Sequence, residues 1–135
     1  MIEKSVIGVD DAIRRIICVA NYIEPIFESF KAEWLPDDLP FTIIFSDIGH
    51  SLCNQTKKST PKELKEIWRI IEDLMVRGDL TVREAVATGL LETVLGEASA
   101  ERFDMALVAF FLGPESIAYC HAWDAFTGVK TQGLY

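Results

Sequence analysis

Cysteine is scarce in this chain, and the three that occur, Cys18, Cys53 and Cys120, are an odd set without framework spacing. A disulfide scaffold is therefore excluded, and because two of the three fall inside apolar helical patterns, reduced and mostly buried thiols are expected. Long hydrophobic runs are missing as well. The first residues carry Glu3 and Lys4 before Asp10, Asp11, Arg14 and Arg15, and the longest apolar run nearby, 16–20, is far too short for a signal sequence or a membrane span. A cytoplasmic protein is the expectation. Basic charge is the third shortage. Acidic residues outnumber Lys and Arg 21 to 13, for a net charge of −8, and the deficit is local: residues 21–50 hold six acids against Lys31, residues 91–124 hold six against Arg102, and 51–90 are nearly neutral. Nucleic-acid phosphate needs a basic surface, so direct nucleic-acid binding is not expected and a basic partner is.

What is present is a chain of 135 residues, half of them hydrophobic and a quarter charged. That is the balance of one globular domain, 1–135, able to bury a core without metal or disulfide staples. The apolar residues recur at helical spacing almost throughout, and no alternating strand pattern survives its context, although 41–45 alone could pass for a strand. Asp10 or Asp11 can cap a first helix with Ile13, Ile16, Ile17, Ala20, Ile23 and Phe27 on one face. Pro25 interrupts it, so the helix should kink or restart near Glu24 and run toward Trp34, and 36–40 reads as a turn. Phe41, Ile44, Phe45, Ile48 and Leu52 mark the next helix, closed by the polar loop 54–59.

The clearest passage is 59–96. Thr60, Pro61 and Glu63 form a helix-start signature ahead of the stripe Leu64, Ile67, Trp68, Ile71, Leu74 and Met75, and Gly78 ends it. The partner helix, about 81–95, is apolar on most sides, with charge only at Arg83, Glu84 and Glu92, which places it at the centre of the molecule. Gly89 inside it costs about 1 kcal/mol against alanine and so points to a close helix crossing. A further helix bears Phe103, Ala106, Leu107, Phe110 and Phe111, Gly113 and Pro114 restart the chain into a last helix near 115–126, and 128–135 shows no pattern. The sum is an all-α fold of about six helices, a compact bundle or a short stack of antiparallel hairpins.

Asp79, Val82, Arg83 and Val86 resemble the start of the second helix in a HEAT-like hairpin, in which the Asp and the Arg tie neighbouring hairpins together. The strings DLTVREAVATGLLETVL (79–95) and LGPESIAYCHAWDAFTG (112–128) are similar to small all-helical immunity proteins encoded beside bacterial polymorphic toxins, including those of contact-dependent growth inhibition systems. The resemblance covers about the second half of the chain. It implies a cytoplasmic protein that binds one cognate toxin and blocks its active site.

Chemical candidates stand beside it. His50 with Cys53 and Cys120 with His121 could supply four zinc ligands, but neighbouring helical residues point about 100 degrees apart and neither half has paired zinc spacing, so neither a metal nor any other cofactor is expected. His121 and Asp124 can meet on one face of the last helix; with no nucleophile placed, an ion pair or a partner contact flanked by Tyr119 and Trp123 outweighs a general base. Glu92, in the most apolar helix, reads as a structural carboxylate near the Asp79–Arg83 tie. No catalytic residue is nominated. The expected contact set is Glu24, Glu28, Trp34, Asp37 and Asp38, with Tyr119, His121, Trp123 and Asp124: acids standing in for substrate phosphates in the basic cleft of a nuclease toxin, and aromatics supplying buried area. The alternatives are a non-enzymatic helical scaffold docking a peptide or partner helix, and a small hydrolase or metal-dependent enzyme using His50, His121 and nearby acids.

Overall fold

The computed structural model describes residues 6–135; Glu3 and Lys4 lie outside them. The all-α expectation holds: among the described residues there is no strand, only an isolated parallel bridge between Ile7 and Gly78. The helices are α1 (Val9–Val19), α2 (Glu24–Trp34), α3 (Phe41–Gln55), α4 (Pro61–Arg77), α5 (Leu80–Glu84), α6 (Glu92–Ser99), α7 (Ala106–Ala109) and α8 (Pro114–Thr127). A π segment, Ala85–Leu91, joins α5 to α6 without a break.

Helix starts follow the sequence where a cap is spelled out. At α4 the capping box is complete: Glu63 N–H donates to Thr60 Oγ1 at 3.1 Å and Thr60 N–H to Glu63 Oε1 at 2.9 Å. The restart at Pro25 is also observed, α1 and α2 being separated by a 3-10 turn, Asn21–Ile23. Helix α1 begins earlier than Asp10, with Gly8 as its cap. The cause lies in the preceding residue: Ile7 N–H donates to the Arg77 carbonyl and Ile7 accepts from Asp79 N–H, both at 2.9 Å, so the α4–α5 turn fixes where the first helix starts. The expected helix around Phe103 to Phe111 shrinks to the single turn α7. Asp104 Oδ1 accepts from Ala106 N–H at 3.0 Å to open it, and Phe110, 91% exposed, lies in the turn that follows.

The core is one hydrophobic cluster in which Trp68, Phe45, Ile48, Leu74, Leu90 and Leu91 are fully buried. Helix α3 lies along the π segment as the most extensive helix pair, and glycines set its spacing. A Cβ on Gly89 would lie 2.6 Å from the Thr42 carbonyl oxygen, and one on Gly49 would lie 2.9 Å from that of Leu90. The close crossing expected at Gly89 is real, and Gly49 is its counterpart. Ser46 and Thr93 share a 2.7 Å hydrogen bond across the same seam. The HEAT-like cross-tie, in contrast, does not form. Asp79 caps its own helix, accepting from Val82 N–H at 2.8 Å, while Arg83 is exposed and makes no ion pair among the described residues.

Candidate functional site: an acidic helix and a strapped one

Helix α2 is the outermost of the long helices, with no residue fully buried. It exposes Glu24, Glu28 and Glu33, and the following turn exposes Trp34, Leu35, Asp37 and Asp38. The only base on this stretch, Lys31, is already engaged: its Nζ lies 2.8 Å from Glu28 Oε1 and 4.8 Å from the centre of the Phe27 ring. Between α2 and α1 opens a slot of about 480 Å³ floored by Ile13, Ile17 and Phe27, with Asp10, Arg14, Glu24, Glu28 and Lys31 at its rim. From the sequence, Asp10 is a candidate cap of the first helix and Arg14 one of the charges near it. Their place beside Glu24 follows from the α1–α2 restart, which folds the second helix back along the first.

The second group of nominated residues sits on α8, which packs against α4, α6 and the π segment, whereas α2 packs on α3. Here the structure separates what spacing had paired. His121 and Asp124 do not meet. Asp124 turns inward, is 3% exposed, and accepts from Thr131 N–H at 2.8 Å, Thr131 Oγ1 at 2.7 Å and Tyr135 Oη at 3.0 Å. His121 stays outside and stacks on the Tyr135 ring, centroids 4.7 Å apart. With residues 128–135 in place Asp124 is not an exposed contact: its oxygens are taken up within the chain. Trp123 is half-buried against Phe126, which is 83% exposed. Tyr119 donates a short hydrogen bond to Glu92, and burial followed by that bond holds its phenol well above the ordinary value. Glu92 is structural, as its place in the central helix implied, but its partner is this phenol.

The zinc candidates are likewise apart. Among the described residues no group of three or more His, Cys, Asp or Glu side chains is placed to hold a metal ion. His50 Nδ1 instead lies 3.1 Å from Glu97 Oε1, and Arg102 donates to both oxygens of the same carboxylate, at 2.9 and 3.2 Å. The Arg102 hydrogen bond is the main cause that lowers Glu97 below the ordinary carboxylate value. Cys53, one turn along α3, is pushed up to about 12 by burial and by Glu97, which favours the protonated thiol over the nucleophilic thiolate. It borders an open groove of about 890 Å³ with Lys57, Arg102, Phe103, Asp104 and Leu107. Burial of the thiols is partial: Cys120 is buried, Cys53 half-buried and Cys18 exposed, all three free.

The fold and these surfaces define an all-helical domain that presents charged and aromatic side chains on its outer helices. By sequence, the chain belongs to the family described as a domain of unknown function (DUF7674), whose model matches residues 20–127. Searches of curated proteins and of solved structures return no match. No helix among the described residues is long and apolar enough to cross a membrane.

Proposed function

We propose that this protein is a cytoplasmic immunity protein that binds a cognate toxin and blocks it, the toxin being a nuclease with a basic active-site cleft. One observation carries the reading: five carboxylates, Glu24, Glu28, Glu33, Asp37 and Asp38, stand exposed on α2 and its following turn beside Trp34 and Leu35, while the single cation among them is spent on Glu28. Such a surface attracts a basic partner at long range and offers an aromatic anchor at contact. The slot beside α2 adds an apolar floor of Ile13, Ile17 and Phe27 under a rim of mixed charge, in which Asp10 and Glu24 stand beside Arg14 and the Glu28–Lys31 pair. The resemblance of 79–95 and 112–128 to toxin immunity proteins supplies the class of partner.

The test is co-purification of the native partner on tagged protein, followed by binding to a variant with Glu24, Glu28, Asp37 and Asp38 all changed to Lys. The expected outcome is a basic protein that is toxic when expressed alone, whose binding falls by about a hundredfold or more in the variant and weakens steeply with salt. Unchanged binding by the variant would move the contact surface elsewhere. The open groove beside Cys53 favours a second reading, a scaffold that docks a peptide or partner helix. Affinity that barely responds to ionic strength would support it instead.

A further inference from the structure

Residues 128–135 have no pattern in the sequence and lie outside the span matched by the family, yet they are held by specific contacts. Thr131 and Leu134 are buried. The three donors that satisfy the buried Asp124 carboxylate all come from this segment, and no cation pairs with Asp124 among the described residues. Tyr135 covers the face of His121, and Lys130 Nζ lies 5.2 Å from the centre of the same Tyr135 ring. At Gly133, where φ is 89°, the backbone runs so close to α7 that a Cβ would lie 2.5 Å from the Ala106 nitrogen. Gln132 and Gly133 also wall one side of the groove that Cys53 and Arg102 border.

These are the contacts of a bound peptide. A segment with no helix of its own, turned at 131–134 where Leu134 N–H donates to the Thr131 carbonyl at 3.3 Å, donates an N–H and two hydroxyls to an acceptor fixed on a helix, stacks one ring, and passes one glycine through a narrow point. A buried carboxylate stripped of its donors is costly, so the recess favours having a segment with that donor set in place. We infer that residues 128–135 are a displaceable strap, a ligand bound in cis to a recess on α8 with Asp124 at its floor. When the strap is released, the recess takes a peptide that adopts the same turn and presents the same N–H and hydroxyl donors in trans. The strap thereby gates both His121 and one wall of the groove. The inference stands apart from the acidic surface on α2 and from the identity of any toxin. Because the strap is tethered, its effective concentration is in about the millimolar range, and a segment in trans competes only once the strap is weakened.

Two variants of the full chain test this. Gly133→Ala forces the strap off α7 from its own side; Thr131→Val with Tyr135→Phe removes two donors while keeping Asp124 and the ring stack. The probe is a labelled synthetic peptide with the sequence of residues 128–135. In both variants, hydrogen exchange at 131–134 and tryptic cleavage after Lys130 should rise about tenfold, with amides of α3 and α4 unchanged. The peptide should bind both variants saturably, bind the wild-type chain far more weakly, and lose binding when Asp124→Asn is added. If the α3 and α4 amides exchange faster in step with 131–134, or a variant loses its helical circular dichroism, the segment is part of the core and not a strap. If the segment is released with the core intact and the peptide still fails to bind, the recess is not a ligand site.

Discussion

Glu101 is the one non-glycine residue with positive φ, 61°, among the described residues. It follows α6 at the position where glycine usually ends a helix, and the hydrogen bonds around it are those of a Schellman motif: Arg102 N–H donates to the Glu97 carbonyl at 2.9 Å and Glu101 N–H to that of Ala98 at 3.1 Å. The Cβ of Glu101 costs about 1 kcal/mol in this conformation. Glu101→Gly should therefore stabilise the protein by about 0.5–1 kcal/mol in urea unfolding, part of the relief being offset by the greater freedom of glycine in the unfolded chain. Glu101→Ala, which keeps a Cβ, should change little; equal gains from both would mean that loss of the charge and not of backbone strain is responsible. No sequence signal marks this residue, because glutamate is the wrong letter for the conformation it adopts. Asp124 was hidden for a related reason. Its spacing from His121 is visible, but which way the carboxylate turns depends on residues seven and eleven positions on, in a segment without periodicity.

Elements were legible where their ends are encoded locally. Thr60, Pro61 and Glu63 mark α4, and Pro25 marks the restart into α2, because capping and proline geometry act within a turn. The π segment was not legible: Ala85–Leu91 reads as ordinary helix, and the wider turn is evident only beside Thr42 and Phe45 of α3, against which Gly89 is pressed. Helix α8 shows the same limit at its start. Gly113 offers no side-chain cap, and the orphan donors are instead met from α4, where Glu72 accepts from Glu115 N–H, Ser116 N–H and Ser116 Oγ, each at 2.9 Å. A carboxylate at a helix N-terminus also meets the favourable end of the dipole. Glu72→Ala should therefore destabilise the protein by about 2 kcal/mol, more than the roughly 1 kcal/mol expected of Thr60→Ala at the α4 cap. Urea unfolding of the two variants checks the order. The reverse order would mean that solvent replaces Glu72 easily and that α8 is anchored by its apolar face alone.

Across the whole molecule, the acidic groups divide into an exposed set of carboxylates and a buried set of weak acids. The carboxylates on α2 are exposed and, in the proposed function, steer a partner, whereas Cys53, Cys120 and Tyr22 lie in or against the core, each pushed up to about 12. Burial is the leading cause for all three, with Glu97, Asp124 and Glu63 adding to it in turn. For each the folded chain favours the protonated form more than the unfolded chain does. Their contribution to stability is thus fully present below the ordinary values, 9.0 for the thiols and 10.0 for the phenol, and is lost as pH rises toward about 12. Unfolding in urea followed by circular dichroism should show a midpoint that is flat through neutral pH and falls steadily above about pH 9, where the unfolded thiols ionise. Thiol labelling gives the residue-level counterpart. In the folded protein at neutral pH a charged disulfide reagent should modify exposed Cys18 alone, and Cys53 and Cys120 should follow only at the rate of opening, becoming fully reactive in denaturant. Rapid reaction of Cys53 in the folded protein would mean that the open groove it borders exposes the thiol to reagent and lowers its pKa, and the alkaline loss of stability would then have to come from Cys120, Tyr22 and Tyr119.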